Sequence, residues 1–486
     1  MIMNDIFFAL FYIAYMLLIL SAVVYVVLDN RNPVKAMSWI LLLSFLPGVG
    51  LVLYFFLGRS NRKERLISRK GYSRLVKRPM AEYQMQESLK VSSDKSRIMS
   101  FFRNVNSALP FDRNKVDLFS DAKSMFLSLM KSVYNAKHHI HIEFYIFEDD
   151  PVGRLLRDAL IDKAREGVKV RVLYDDVGCW KVDKDFYEQM LCEGIEVQSF
   201  LKVRFPVFTS KVNYRNHRKI VVIDGEIGYI GGMNIAQRYI YGFDWGIWRD
   251  THAKIVGKAV YGLQTAFLID WFAVERALIT SPEYFPKNIE ADCCGTPCTY
   301  SVSDNSIVQI VTSDPVGKWR DIMQGYVMAI NSARNYIYIQ TPYLLPTEPV
   351  LTALQTAALA GVDVRIMIPK RGDSWIIHKG TMSYIDDMLE AGVKVYMYKK
   401  GFLHSKLMVC DDLVSTVGST NMDFRSFEHN FEANAFFYDK ETALAIKDIF
   451  LKDVKSSLLL TSKIWNSRAV KNKISESVIR LFSPLL

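Results

Sequence analysis

The chain has 486 residues, half of them hydrophobic, with a formal net charge of +10 and a slightly positive mean hydropathy. Single cores rarely grow past about 250–300 residues, so more than one domain is expected. The apolar excess and the positive charge are both local, which argues against a uniformly basic nucleic-acid-binding surface.

Residues 6–28, IFFALFYIAYMLLILSAVVYVVL, carry no charge and are long enough to cross a bilayer, which takes roughly 20 apolar residues. Residues 36–57, AMSWILLLSFLPGVGLVLYFFL, form a second run interrupted by Pro47 and Gly48, so this segment either spans with a kink or re-enters. Asp5 stands where a cleavable leader would be basic, and no small-residue cleavage pattern separates the two runs. Two transmembrane segments are therefore expected within residues 1–58. A basic linker over 59–110 follows, and its stretch from Arg59 to Arg78 holds nine Lys or Arg against Glu64 alone. The positive-inside rule places everything beyond it in the cytoplasm, at the cell membrane. Such a block also attracts anionic lipid headgroups, at about 1 kcal/mol per basic residue near the surface.

From residue 111 the pattern alternates helix and strand, in two passes. SMFLSLMKSVYNAKHHIHIEFYIF matches VMAINSARNYIYIQTPYLL. VGRLLRDALIDKAREGVKVRVLYDD matches PVLTALQTAALAGVDVRIMIPKR. YEQMLCEGIEVQSF matches YIDDMLEAGVKVYMY. The same order of units in both passes indicates an internal duplication: a first domain over 111–291, a polar linker over 292–305 and a second domain over 306–486. Each is expected to be an α/β layer structure around a largely parallel sheet. The six cysteines do not form a disulfide framework. Cys293, Cys294 and Cys298 cluster in DCCGTPC without a second pair at zinc-site spacing, so free thiols and no metal site are expected.

The fourth unit of each pass carries the chemistry. HRKIVVID holds His217, Lys219 and Asp224, and HSKLMVCD holds His404, Lys406 and Asp411, in the same spacing His-x-Lys-x4-Asp. Positions i and i+2 of a strand share a face, so each histidine projects with its lysine. Brought together, two imidazoles and two ammonium groups suit a phosphodiester. The lysines neutralise the non-bridging oxygens. One neutral imidazole attacks phosphorus, and the other, protonated, serves the departing alkoxide. This chemistry calls for no metal and no cofactor. Asp224 and Asp411 lie at an odd offset from the histidine and open a turn, which favours a structural role for both. Downstream, GGMN (Gly231, Gly232, Asn234) and GSTN (Gly418, Ser419, Asn421) either let backbone and asparagine approach the phosphate or simply make a tight turn. Asp250 in WRDTH and Glu432 in NFEAN are candidates to hold the second ring nitrogen of a histidine. His378 in SWIIHKG is packing or substrate-facing. The tail helix with Ile474, Val478, Leu481 and Phe482 is either interfacial or core-packing.

At these residues the chain resembles the phospholipase D superfamily, whose signature is two such motifs, each followed by small residues and Asn. The two N-terminal runs, the phrase NPVKAMSWILLLSFLPGVGLVLYFFLGR and the wording IWRDTH make it similar, more specifically, to bacterial cardiolipin synthases of that superfamily. The resemblance implies two duplicated phospholipase D-like α/β domains packed face to face behind two transmembrane segments. It implies an integral membrane phosphatidyltransferase that turns two phosphatidylglycerols into cardiolipin and glycerol through a phosphohistidine, with no energy cofactor. His217 is expected as nucleophile and His404 as general acid, although the internal symmetry leaves the reverse assignment open. A hydrolase or transphosphatidylase with another phospholipid or acceptor is the alternative. Nucleic acid is not an expected partner, and nothing in the sequence fixes the oligomeric state.

Overall fold

The computed structural model describes residues 2–29, 33–54, 92–203, 213–289 and 298–483. The basic stretch 59–78 and the first six residues of DCCGTPC lie outside the described residues. The chain forms two compact units, residues 1–65 with 203–214, and residues 66–202 with 215–486.

In the first unit the apolar runs are helical, over Ile2–Asp29, Pro33–Phe45 and Pro47–Leu53. Pro47 interrupts the second run as its sequence requires, because it cannot donate a backbone hydrogen bond and instead opens a new helix. Tyr54 packs edge-on against Tyr25 and Trp39. Several side chains of these helices lie outside the described residues. Among those described, no helix is long and apolar enough to cross a membrane, so the fold does not by itself establish the expected spans.

The second unit is built on one sixteen-stranded sheet. Four further short strands pair outside it, β8 with β15 and β12 with β18. The unit's first half contains β1 (Pro110–Phe119), β2 (His139–Phe144), β3 (Lys169–Asp175), β4 (Glu196–Phe200), β5 (Arg215–Asn216), β6 (Lys219–Ile223) and β7 (Ile227–Gly231). The short β8 (Ile247–Arg249) and then β9 (His252–Val256) complete it. The second half begins with β10 (Tyr300–Ser313), β11 (Tyr336–Gln340), β12 (Leu344–Leu345), β13 (Asp363–Pro369), β14 (Lys394–Tyr398) and β15 (Gly401–Leu403). It continues with β16 (Leu407–Cys410), β17 (Val414–Gly418), β18 (Met422–Asp423), β19 (Asn430–Phe437) and β20 (Ser457–Leu459).

Read outward from the middle, the first half runs β1-β9-β7-β6-β2-β3-β4 and the second β10-β19-β17-β16-β11-β13-β14. Strand for strand this is one order used twice, as the duplicated sequence units require. Two expectations are corrected here. The sheet is mixed rather than largely parallel: β2, β3 and β4 are parallel, whereas β6, β7, β9 and β1 pair antiparallel. A short turn joins β6 to β7 and another joins β16 to β17, and a short turn can only reverse direction. The halves also meet edge to edge, not face to face, through antiparallel pairing of β1 with β10. That pairing removes two exposed sheet edges at once.

Helices cover the sheet. In the first half, residues Ala122–Tyr134 and Pro151–Arg165 bury Leu129, Val133, Leu156 and Leu160 against Ile140, Ile142 and Val172. Each starts at an aspartate N-cap: Asp121 accepts from Ser124 N at 2.8 Å, and Asp150 from Gly153 N at 2.9 Å. The second half repeats this with helices Asp321–Ser332 and Glu348–Leu359 over Ile337, Ile339 and Ile366. The four described cysteines, Cys179, Cys192, Cys298 and Cys410, are free thiols.

Candidate active site

The histidines stand at the approach to their strands, not within them: β6 begins at Lys219, and β16 one residue after Lys406. The approach is pinned from the opposite half. The two residues of β5 run parallel to Asn430 and Phe431 of β19, and His217 N donates to Phe431 O at 2.9 Å. Symmetrically, β15 runs parallel to β8, and His404 N donates to Arg249 O at 2.7 Å. Each histidine is thus stitched into the other half's backbone before its own strand begins.

The carboxylates are crossed in the same way. His217 Nδ1 lies 3.0 Å from Glu432 Oε1 and 3.1 Å from Oε2. His404 Nδ1 lies 2.6 Å from Asp250 Oδ2. A carboxylate at Nδ1 holds the tautomer with hydrogen there and leaves Nε2 with its lone pair. Both histidine-orienting candidates therefore meet a histidine, each one from the opposite half. The lysines fold beside them, Lys219 Nζ donating to His217 O at 2.6 Å and Lys406 Nζ to His404 O. Lys406 Nζ also lies 2.9 Å from His404 Nδ1; that nitrogen has one position to fill, and the shorter approach gives it to Asp250.

Charge in this site is finely balanced. Burial draws the His217 imidazole down to about 4 against the pull of Glu432, and His404 down to about 3 with Lys406 adding to the effect. Burial likewise carries Lys406 down to about 8 and Lys219 well below the usual lysine value. Burial pushes Asp250 and Glu432 upward, but the neighbouring lysines and histidines outweigh it and hold both carboxyls below their ordinary values. The free site thus holds neutral imidazoles between carboxylates and crowded ammonium groups. An incoming phosphodiester anion relieves the lysines of their mutual repulsion and raises the proton affinity of both rings.

Asp224 and Asp411 do not touch the histidines. Asp224, at a φ of 54°, accepts from the backbone N–H of Lys137 (2.8 Å), His138 (2.7 Å) and His139 (2.9 Å), fixing the start of β2. Asp411, at a φ of 50°, does the same for Arg334, Asn335 and Tyr336 ahead of β11, at 2.5, 2.8 and 2.7 Å. The small residues serve the carboxylates. A Cβ on Gly232 would fall 2.1 Å from Asp250 Oδ1, and the matching Ser419 donates its hydroxyl to Glu432 Oε2. Asn234 is engaged, accepting from Ile146 N at 3.1 Å and donating to Tyr239. Asn421 donates its backbone N–H to Ser426 at 3.2 Å, and its Oδ1 is buried without a partner among the described residues. His378 packs against Gly372, in the helix Trp375–Met382.

Two aromatic residues were not singled out from the sequence. Tyr145, just past β2, stands edge-on to His217 with ring centres 5.2 Å apart, and Lys219 Nζ lies 5.3 Å from its ring centre. Tyr343, past β11, approaches His404 at 6.4 Å and donates to Asp373 at 2.7 Å. Both tyrosines lie just past the strand that opens their repeat, but the register that matches Glu143 with Gln340 sets Tyr145 opposite Pro342, so aligning the two passes does not pair them. No group of side chains suited to hold a metal ion occurs among the described residues.

A family model described as cardiolipin synthase, PLD-like domain, matches residues 129–245 and 326–454, one match in each half. A relative from Bacillus subtilis (strain 168), the major cardiolipin synthase ClsA, is 38% identical over 498 residues, covering 100% of both chains. The chain belongs to the cardiolipin synthase family of the phospholipase D superfamily. Its members are phosphatidyltransferases, and this chain is an enzyme of that class. A cardiolipin synthase from Listeria monocytogenes serotype 4a is 36% identical, covering 98% of this chain and 99% of its own. A second model, described as Phospholipase_D-nuclease N-terminal, matches residues 17–59. Among solved structures, a phosphatidylserine synthase from Haemophilus influenzae Rd KW20 shares the fold, with a TM-score of 0.59 at 13% identity, covering 80% of this chain and 100% of that one.

Proposed function

We propose that this enzyme transfers a phosphatidyl group from one phosphatidylglycerol to another, releasing glycerol and forming cardiolipin. The crossed pair of His–carboxylate contacts carries this reading, because it presents two imidazoles with Nε2 free beside two lysines. As the phosphodiester anion binds, His404 takes up a proton at Nε2; His217 Nε2 then attacks phosphorus, the P–O bond to the headgroup glycerol breaks, and His404 gives that proton to the leaving alkoxide. In the second step the hydroxyl of a second phosphatidylglycerol gives its proton to His404 and attacks phosphorus, and the P–N bond breaks. Each proton returns to its starting place, so the cycle needs neither nucleotide nor added acid.

In this reading residues 6–28 and 36–57 anchor the chain in the cell membrane and the duplicated domains over 111–291 and 306–486 act at its cytoplasmic side. The uncharged length of the first run and the basic block after the second support it. Labelled phosphatidylglycerol given to the purified enzyme tests the reaction. Cardiolipin and glycerol are the expected products, and phosphatidic acid without cardiolipin would show that water is the acceptor instead.

A further inference from the structure

Among the tryptophans of the second unit three are exposed: Trp180 at 75%, Trp375 at 66% and Trp319 at 45%. Trp248, Trp271 and Trp465 are buried, and Trp245 is half-buried. Trp180 and Trp319 lie in loops and Trp375 opens a helix, all three following strands whose ends lie at the side of the sheet that carries the histidines. The loop after β3 reaches Trp180 by pressing Gly178 so close to Tyr145 that a Cβ there would fall 2.0 Å from its carbonyl oxygen. Tyr145 is the ring beside His217. The corresponding loop after β13 places Asp373 against the hydroxyl of Tyr343, the ring beside His404, and Trp375 follows two residues later. Trp319 follows β10, whose last residue, Ser313, is paired with Glu432. The duplication has thus put one exposed tryptophan in the segment that meets the tyrosine beside each histidine, and a third follows the strand paired with Glu432.

An exposed tryptophan gains nothing from water and belongs where an apolar phase meets a polar one. Exposed basic residues accompany all three: Lys181 follows Trp180, Lys318 lies with its ammonium 4.9 Å from the Trp319 ring centre, and Arg371 precedes Trp375 by four residues. The helix Trp375–Met382 also carries the tail helix Val470–Arg480, to which Lys379 Nζ donates at Asn472 Oδ1 at 2.9 Å. That tail helix turns Ile474, Val478 and Leu481 outward on one face, with Lys471 and Lys473 beside them. An outward apolar stripe next to lysines has the composition of an interfacial helix, not of one packed into a core.

We propose that this end of the molecule, through Trp180, Trp319, Trp375 and the apolar face of the tail helix, rests on an anionic lipid bilayer, so that headgroups enter the site directly from the surface. The inference rests on the phosphatidyl-transfer reading for its choice of partner. The geometry and the basic neighbours select an anionic bilayer over a protein partner, because the same two residue types recur at separate points around the site instead of forming one shaped groove.

The test uses the full chain reconstituted in vesicles of phosphatidylglycerol and phosphatidylcholine, wild type beside W180A/W319A/W375A. Turnover of vesicle phosphatidylglycerol is expected to fall at least about tenfold in the variant, with turnover of a short-chain phosphatidylglycerol below its micellar concentration unchanged within about twofold. Equal losses on both substrates, or full retention on vesicles, would overturn the proposal. A second readout needs no turnover: brominated phosphatidylglycerol should quench the tryptophan emission of wild type more than that of the variant. Equal quenching would overturn the docking proposal. Greater quenching of wild type, in an enzyme that makes no cardiolipin, would uphold docking and refute the transfer reading.

Discussion

Glu432 in the second half holds His217 in the first at 3.0 Å, and Asp250 in the first half holds His404 in the second at 2.6 Å. The two carboxylates follow their own motifs in sequence but serve the opposite ones, because each histidine's approach strand lies parallel to the other half's backbone. A substitution in one half is therefore felt by the histidine of the other. Glu432→Gln should slow formation of the phosphohistidine at His217, and Asp250→Asn should impair proton transfer at His404. Each should lower kcat by roughly 10²- to 10⁴-fold, the range for misoriented histidine catalysis. Circular dichroism should show the fold intact, and retention of rate within threefold in either variant would refute the assignment.

The pH profile follows from the direction of the shifts. His217 is held down to about 4, so the nucleophile is neutral across the physiological range and gains a proton only as pH falls through about 4. Lys406, held down to about 8, loses its charge as pH rises through that value. The profile of kcat/KM, which reports the free enzyme, should therefore fall on the alkaline side near pH 8. In Lys406→Arg that limb should move upward by more than two pH units, at a lower plateau rate, since a guanidinium keeps its charge.

Asp224→Ala and Asp411→Ala should act on stability. Each leaves three backbone N–H groups without their acceptor, a loss of about 1–3 kcal/mol. The shift of the denaturation midpoint measures it. The turnover per folded molecule should stay within a few-fold of wild type, and a catalytic loss like that of His217→Ala would place these carboxyls in the chemistry instead.

Glu143 is buried under the site, and burial together with Asp270 pushes its carboxyl well above the usual range. The folded state thus retains a proton that the unfolded chain releases, so this group's contribution to stability is full below the ordinary carboxylate value and declines as pH rises above it. Glu143→Gln should remove that decline and leave the melting temperature flatter with pH. The duplication supports the exchange, because Gln340 occupies the matching position of β11 and donates to Asp453 at 2.8 Å.

The fold and the site were unequally legible. Repeated helix–strand units gave the duplication, since amphipathic period and glycine stops are local signals. The His-x-Lys pairs were legible because two copies at one spacing stand out against chance. Asp224 and Asp411 could be assigned to a turn from their odd offset alone. The partners of the histidines could not: Asp250 and Glu432 were recognisable as carboxylates of the right kind, but which one faces which ring depends on β5 with β19 and β15 with β8, contacts that join residues more than 150 positions apart. The edge-to-edge seam was hidden for the same reason. Sheet edges are selected by long-range pairing, here between strands almost 200 positions apart.

One polypeptide, its halves paired through β1 and β10, supplies as a single covalent object what two identical chains would otherwise supply by twofold symmetry. Symmetry would oblige both carboxylates, and both residues beside them, to be the same. Freed from that obligation, the chain places Asp250 with Gly232 behind one imidazole and Glu432 with Ser419 behind the other. The longer acid takes an extra hydroxyl contact, and the shorter one sits against bare backbone. Covalent linkage has thereby turned one site with interchangeable ends into a directional one, whose two imidazoles are free to hold different duties.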